Sequence, residues 1–183
     1  MKRFEAYFNF INREGKDNLL AYLHEGDYFT APASSQYHLS SKGGLLEHSL
    51  NVTQLMFDIS EKLPCNLSAE SMAIVGLFHD LGKSTYYGKP NYIDNLLKSG
   101  LRSTAKPYET NKDRLAIPHE VASVHMLGQF IRLTEDEAFA IMFHNGLYTP
   151  LGYAVKNNET ELFLLLHFAD MYSSRFTEKV DKL

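Results

Sequence analysis

Apolar residues recur along this chain at helical spacing, interrupted by short polar stretches rich in glycine, proline and serine. Residues 3–12 and 16–24 read as two short amphipathic helices parted by Glu14-Gly15, with Leu19, Leu20 and Leu23 on one stripe of the second. Residues 25–43 lose the period and hold Gly26, Pro32, Ser34, Ser35 and Gly43-Gly44, which predicts a loop. A long helix is expected over 45–62, where Leu45, His48, Val52, Leu55 and Ile59 share a face and Pro64 closes the run. Ser68 is placed to cap the next helix, expected to reach Leu81 with Gly82 as its stop.

Residues 84–117 have no helical period and are punctuated by Gly88, Pro90, Ser99-Gly100 and Pro107. Leu96–Lys98 and Leu101–Ser103, on either side of Ser99-Gly100, predict a small β-hairpin within about 94–110. Pro118 suits the first turn of a helix reaching about Phe130. Thr134-Glu135-Asp136-Glu137 is a capping box for a helix to about His144. A start near Asn158–Glu161 opens the last helix, about 159–178, with Phe163, Leu166, Asp170 and Ser174 on one face. The expected fold class is all-α, with one small hairpin inserted.

Composition narrows the field. At 183 residues, 44% apolar and 22% charged, the chain suits one domain, 1–183, with a core that needs no staples. A net charge of −4, with no Lys/Arg run longer than two, argues against a broad grip on duplex nucleic acid. A cationic funnel for a short phosphorylated ligand remains compatible with it. The single Cys65 excludes an internal disulfide and fits a reducing compartment. No apolar run approaches the ~18 residues that span a bilayer, and the acidic residues soon after Met1-Lys2-Arg3 do not suit a signal peptide. The expectation is a cytoplasmic protein without a membrane partner.

The candidate chemistry centres on His79-Asp80-Leu81-Gly82-Lys83, which ends the apolar run Met72–Phe78. His48, His119, His144 and Asp170 stand at other helix positions. Any one of these histidines alone reads as a core residue bonded to a carbonyl. Asp170, in Leu-Leu-Leu-His-Phe-Ala-Asp-Met, is harder to place, because an unpaired buried carboxylate costs several kcal/mol. Four imidazoles and two carboxylates together are a nitrogen–oxygen ligand set for divalent cations: Mn, Fe, Co, Ni, Zn or Mg. His24 and His125 read as surface or ordinary core residues, and His167, one turn before Asp170, as a hydrogen-bonding support for a ligand.

Gly43-Gly44-Leu45-Leu46-Glu47-His48-Ser49-Leu50-Asn51-Val52, then His79-Asp80-Leu81-Gly82-Lys83 and a distant Asp170, resembles the HD superfamily of metal-dependent phosphohydrolases over about residues 27–176. The resemblance implies a compact helical HD core over 27–176, preceded by N-terminal helices in 1–26. Pro118-His119-Glu120 and Phe143-His144-Asn145 are similar to the extra ligand motifs of the dinuclear branch, which includes HD-GYP phosphodiesterases and the HD domain of YhaM-type 3′–5′ exoribonucleases. The Gly-Tyr-Pro element is absent, against a cyclic-di-GMP enzyme, and there is no room for the OB domain of the YhaM type.

The resemblance implies roles. His48, His79, Asp80 and Asp170 would hold one metal ion, and His119 and His144 would join Asp80, as bridge, around a second. A metal-activated water would attack phosphorus, with Asp80 and Lys83 at the catalytic centre and Lys83 on a phosphate oxygen. His38, Lys42, Tyr87 and Arg102 are further candidates for substrate binding, since they combine stacking and phosphate-pairing types on the two loops. The expected activity is hydrolysis of a phosphate ester in a nucleotide-sized substrate. A 3′–5′ exonuclease on short single strands is the alternative, and an inactive regulatory binding module the third reading.

Overall fold

A computed structural model describes residues 1–178; residues 179–183, the end of the expected 1–183 unit, lie outside the described residues. Among the described residues seven α-helices make the body: α1 Lys2–Phe8, α2 Lys16–Glu25, α3 Gly44–Ser60, α4 Ala69–Phe78, α5 His119–Gly128, α6 Glu135–Phe143 and α7 Glu161–Tyr172. A two-stranded antiparallel hairpin, β1 Tyr92–Asp94 and β2 Tyr108–Thr110, pairs Ile93 with Glu109. The fold is helical with one small hairpin, as the periodicity predicts.

Helix α4 explains where everything else sits. Every residue from Met72 to Phe78 is buried, so the helix is apolar all round and has no solvent face. It packs against α1, α3, α6 and α7. Each fully buried side chain there, such as Ile74, Leu77 or Phe78, stabilises the fold by about 1.5–3 kcal/mol. Ser68 Oγ accepts from the Ser71 N–H at its start, as its type and position predict. Because α4 runs through the middle, the residues that end it are delivered to the centre of the molecule. No described helix is long and apolar enough to cross a membrane.

Four boundaries differ from expectation. Helix α1 ends at Phe8, short of the expected residue 12, because Phe10 and Ile11 close tighter turns on the Tyr7 and Phe8 carbonyls. Helix α4 stops at Phe78 instead of Leu81: Asp80 leaves helical geometry (φ −102°, ψ 12°) and Leu81–Lys83 tighten into a 3₁₀ turn. Gly82 is required there by close approach, since a Cβ would sit 2.1 Å from the carbonyl oxygen of His119. The hairpin turn falls where Ser99-Gly100 predicts, with Gly100 N–H donating to Leu97 O, but only Leu96 and Arg102 bridge beside it. Leu96, Leu97 and Leu101 are exposed and find no core to hold a longer ladder, so the paired strands lie further out. The last helix ends at Tyr172, and Ser173–Thr177 form a wider π turn.

The capping box at the start of α6 is present, and its Glu137 also receives a two-pronged ion pair from Arg13, with Nη1–Oε2 and Nη2–Oε1 both 2.7 Å. This clamp ties the segment between α1 and α2 to α6.

Candidate functional site

His79 and Asp80 end α4, His48 lies within α3, His119 opens α5, His144 ends α6, and Asp170 lies on α7. Five helices therefore converge on one cluster. His48, His79, Asp80 and His144 are fully buried, while His119, Lys83 and Asp170 keep 27%, 15% and 16% of their side chains exposed. Access from solvent is on the side those three residues line.

Hydrogen bonding fixes how the imidazoles point. His79 Nδ1–H donates to Gly76 O at 3.0 Å and His144 Nδ1–H to Ile141 O at 2.8 Å, each the carbonyl three residues earlier at a helix end. A carbonyl only accepts, so Nδ1 carries a proton in both rings, and Nε2 is the nitrogen that faces inward. His48 Nδ1 lies 2.9 Å from Glu178 Oε2, and His119 Nδ1 3.3 Å from Glu120 Oε2. All four Nε2 atoms thus turn toward Asp80 and Asp170. The Nε2 atoms of His48 and His79 are only 3.3 Å apart. Asp80 divides the histidines between its oxygens: Oδ1 lies 3.1 Å from His119 Nε2 and 3.6 Å from His144 Nε2, Oδ2 3.5 Å from His48 Nε2 and 3.6 Å from His79 Nε2. Asp170 Oδ1 is 3.2 Å from His48 Nε2.

Charge in this cluster is unusually placed. Burial favours the neutral acid at Asp80, yet Lys83 and the surrounding imidazoles hold its carboxyl well below the usual range. Asp170 is likewise depressed, its burial outweighed by His48. Burial pushes His79 down to about 3, so it is neutral. Burial also works against a charge on His48, but hydrogen bonds to Asp170 and Glu178 raise it to about 10. The carboxylates thus draw positive charge to the point where the Nε2 atoms meet. A divalent cation fits that demand on an independent ground: Asp80 Oδ1 is buried with no hydrogen-bond partner among the described residues. His48, His79 and Asp170 form one set of donor atoms all within 4.8 Å of one another, and His79, Asp80 and His144 form another. His119 stands at the rim, reaching the cluster through Asp80.

Lys83 sits inside the cluster, its Nζ donating to Asp80 Oδ2 at 2.6 Å. It is not a solvated helix-terminal charge. His38 lies beside His48, ring centroids 4.9 Å apart, with a buried Nε2 that has no hydrogen-bond partner among the described residues; burial lowers its pKa to about 4. Lys42 is exposed on the loop before α3. Tyr87 packs on Tyr86 and near His125, and Arg102 bonds Asp94 and the Tyr108 hydroxyl; neither hydrogen-bonds to the cluster. His167 donates to His144 O at 2.6 Å and stacks on Phe163, so it supports the chain at His144. His24 packs on Phe29, and His125 accepts from Tyr86.

Several supporting residues are not announced by the sequence pattern. Arg114 donates to Gly82 O at 2.7 Å and Ser84 O at 2.8 Å, strapping the turn that holds Asp80. Asn145 Nδ2 donates to Glu120 Oε1 at 2.7 Å and lies 3.1 Å from His144 Nε2. Glu120 and Asn145 each adjoin a candidate histidine, which is the only local signal they give. Asn51 and Glu178 complete the support of His48.

The HD domain family model matches residues 45–173, from the start of α3 through the first residue of the π turn that follows α7. No curated protein and no solved structure matches the chain. The order of the clustered residues, their burial and this match agree, and the chain belongs to the HD domain family, which in general comprises metal-dependent phosphohydrolases.

Proposed function

We propose that this HD domain hydrolyses a phosphate ester of a nucleotide-sized substrate, using one or two divalent cations. The observation that supports it most is the set of inward Nε2 atoms around an Asp80 whose Oδ1 is buried and has no hydrogen-bond partner among the described residues. In this reading His48, His79, Asp80 and Asp170 hold one cation, and Asp80, His119 and His144 the other, with Asp80 as bridge. The division of histidines between the two Asp80 oxygens supports that assignment. Bound there, the cations would supply Lewis acidity toward phosphate oxygens and lower the pKa of water toward neutrality.

The protein's own groups do the rest. Helix ends and Nδ1 hydrogen bonds orient the donors before substrate arrives, so no reorganisation is needed at reaction. Lys83, at the open side, is placed to move from Asp80 to a phosphate oxygen as charge develops. His38 offers a neutral imidazole deep in the site, and Lys42, Tyr87 and Arg102 belong to outer loops that would meet only distal parts of a substrate.

The test pairs elemental analysis with a substrate screen. Protein purified without chelator should hold one or two divalent transition metal ions. The metal-reconstituted enzyme should then release phosphate or cleave a diester in a panel of nucleoside mono-, di- and triphosphates, cyclic dinucleotides and short oligomers. Cleavage restricted to oligomers, with salt-sensitive affinity, would favour the exonuclease. Metal-replete protein inactive on the whole panel would favour a binding module. Protein that cannot be loaded with metal would refute the proposal.

A further inference from the structure

We propose that Glu178 is a positioning residue for the cation site, holding His48 in the one tautomer and orientation that turns its Nε2 inward; this rests on the metal-dependent reading above.

The need arises from where His48 lies. His79 and His144 stand at helix ends, where carbonyls three residues back are free to accept from Nδ1. His48 lies inside α3, Gly44–Ser60, where the carbonyls of the preceding turn are taken by the helix's own ladder. Its Nδ1 therefore needs an acceptor from elsewhere, and Glu178 Oε2 supplies it at 2.9 Å between two buried side chains. The second carboxylate oxygen is pinned by Asn51 Nδ2 at 2.9 Å, from the next turn of α3. Asn51 Oδ1 faces Arg3 Nη2 of α1 at 3.4 Å, which keeps its amide nitrogen toward Glu178.

The backbone of α7 is shaped to make this contact. Glu178 follows Asp170 by eight residues, which in a regular α-helix puts it about 80° round the axis from Asp170. The π turn at Ser173–Thr177 adds residues to the repeat, and Glu178 N–H closes it on Ser173 O at 2.9 Å. The wider turn brings Glu178 back to the face of Asp170. One C-terminal segment thus grips both nitrogens of a single imidazole, Asp170 at Nε2 and Glu178 at Nδ1. The same device recurs at His119, where Glu120 faces Nδ1 and Asn145 holds the other oxygen of Glu120. Carboxylates behind ligating histidines raise ligand basicity and fix the ring, and their loss weakens metal binding about 10–100-fold.

Glu178→Ala and Glu178→Gln in the full chain decide it. Metal-stripped proteins are titrated with Co²⁺ and Zn²⁺ against a chromophoric chelator, with circular dichroism melts in EDTA to check folding. Glu178→Ala is expected to bind the tighter cation about 10–100-fold more weakly. Glu178→Gln, which keeps an acceptor for Nδ1–H, should fall between it and the wild type. At saturating Co²⁺ both variants should show the wild-type visible spectrum and stoichiometry, because Glu178 is not itself a ligand. Wild-type affinity in Glu178→Ala would overturn the inference while leaving the metal-dependent reading intact. So would a lost equivalent or a changed spectrum at saturation, which would make Glu178 a ligand. If Glu178→Ala does not fold, Glu178→Gln with unaltered affinity overturns it. A wild type that binds neither cation would overturn both.

Discussion

Lys83→Met tests the charge balance on which the site depends. Lys83 Nζ is 2.6 Å from Asp80 Oδ2, and only 15% of its side chain is exposed. Methionine keeps the length and most of the apolar stem, so the change isolates the charge. Removing one partner of a buried ion pair costs about 3–5 kcal/mol, and the partial exposure of Lys83 sets the expected loss at the lower end, about 3 kcal/mol without metal. For a chain of this size that is about 6–12 °C in Tm. With a divalent cation bound, Asp80 keeps a counter-charge, and the expected loss shrinks to about 1 kcal/mol. The thermodynamic cycle then requires the variant to bind the cation about 2 kcal/mol more tightly, roughly 30-fold in Kd, although its metal-free form melts earlier. Thermal melts with EDTA and with Mn²⁺ or Zn²⁺, plus a chelator competition titration, measure every leg. Equal Tm losses in both conditions, or an unchanged Kd, would refute the reasoning. On the same preparation kcat/KM should drop by the equivalent of ~2–4 kcal/mol if Lys83 also meets a substrate phosphate.

Asp80→Ala should lose both cations, whereas His144→Ala should lose one and keep the fold; equal metal equivalents in the two variants would remove Asp80 as the bridge. Gly82→Ala places a Cβ 2.1 Å from His119 O, so it should cost about 1–3 kcal/mol and displace His119 from Asp80. Gly128→Ala, whose Cβ meets nothing within 4 Å, is the control and should be neutral or slightly stabilising in urea denaturation. Glu137→Gln breaks the fork with Arg13 and should cost about 3 kcal/mol at neutral pH. Burial opposes ionisation of Glu137, but Arg13, Thr134 and Ser71 hold its carboxyl below the ordinary range. Its stabilisation is therefore complete above the unfolded value and is lost as pH falls through the folded one, so the wild type and Glu137→Gln should begin to converge in stability below about pH 4 and meet only once pH is below the folded value.

Local signals made most of the helices legible. Ser68 and Thr134 cap where their side chains can reach the third backbone N–H, a contact decided within four residues. The cluster was legible for a related reason: His79-Asp80 and Asp170 lie in apolar runs that would bury them at a cost unless something offset it. What the sequence hides is contact at long separation. Nothing near Arg13 points to Glu137, and nothing near Arg114 announces two carbonyls thirty residues back. Glu178 is hidden twice, because helical periodicity assigns it to another face of α7 and only the π turn returns it. Helix ends were misplaced where tertiary demands overrode propensity, as at Asp80, whose bridge-region backbone is set by the turn strapped by Arg114.

The placing of candidate ligands at helix ends has a dynamic consequence. His79 and His144 terminate α4 and α6, and His119 begins α5. Helix ends are where local opening begins, at free energies far below that of global unfolding. Two cations sharing Asp80 and gripping those three ends between them would join them into one cooperative unit, so that none frays without releasing a cation. Amide hydrogen exchange in the last turns of α4 and α6 and the first of α5 would then slow together on metal loading, while α2, which contributes no residue to the cluster, would keep its own rate. Metal occupancy would be readable from the backbone itself, as a change in how much of the molecule opens at once.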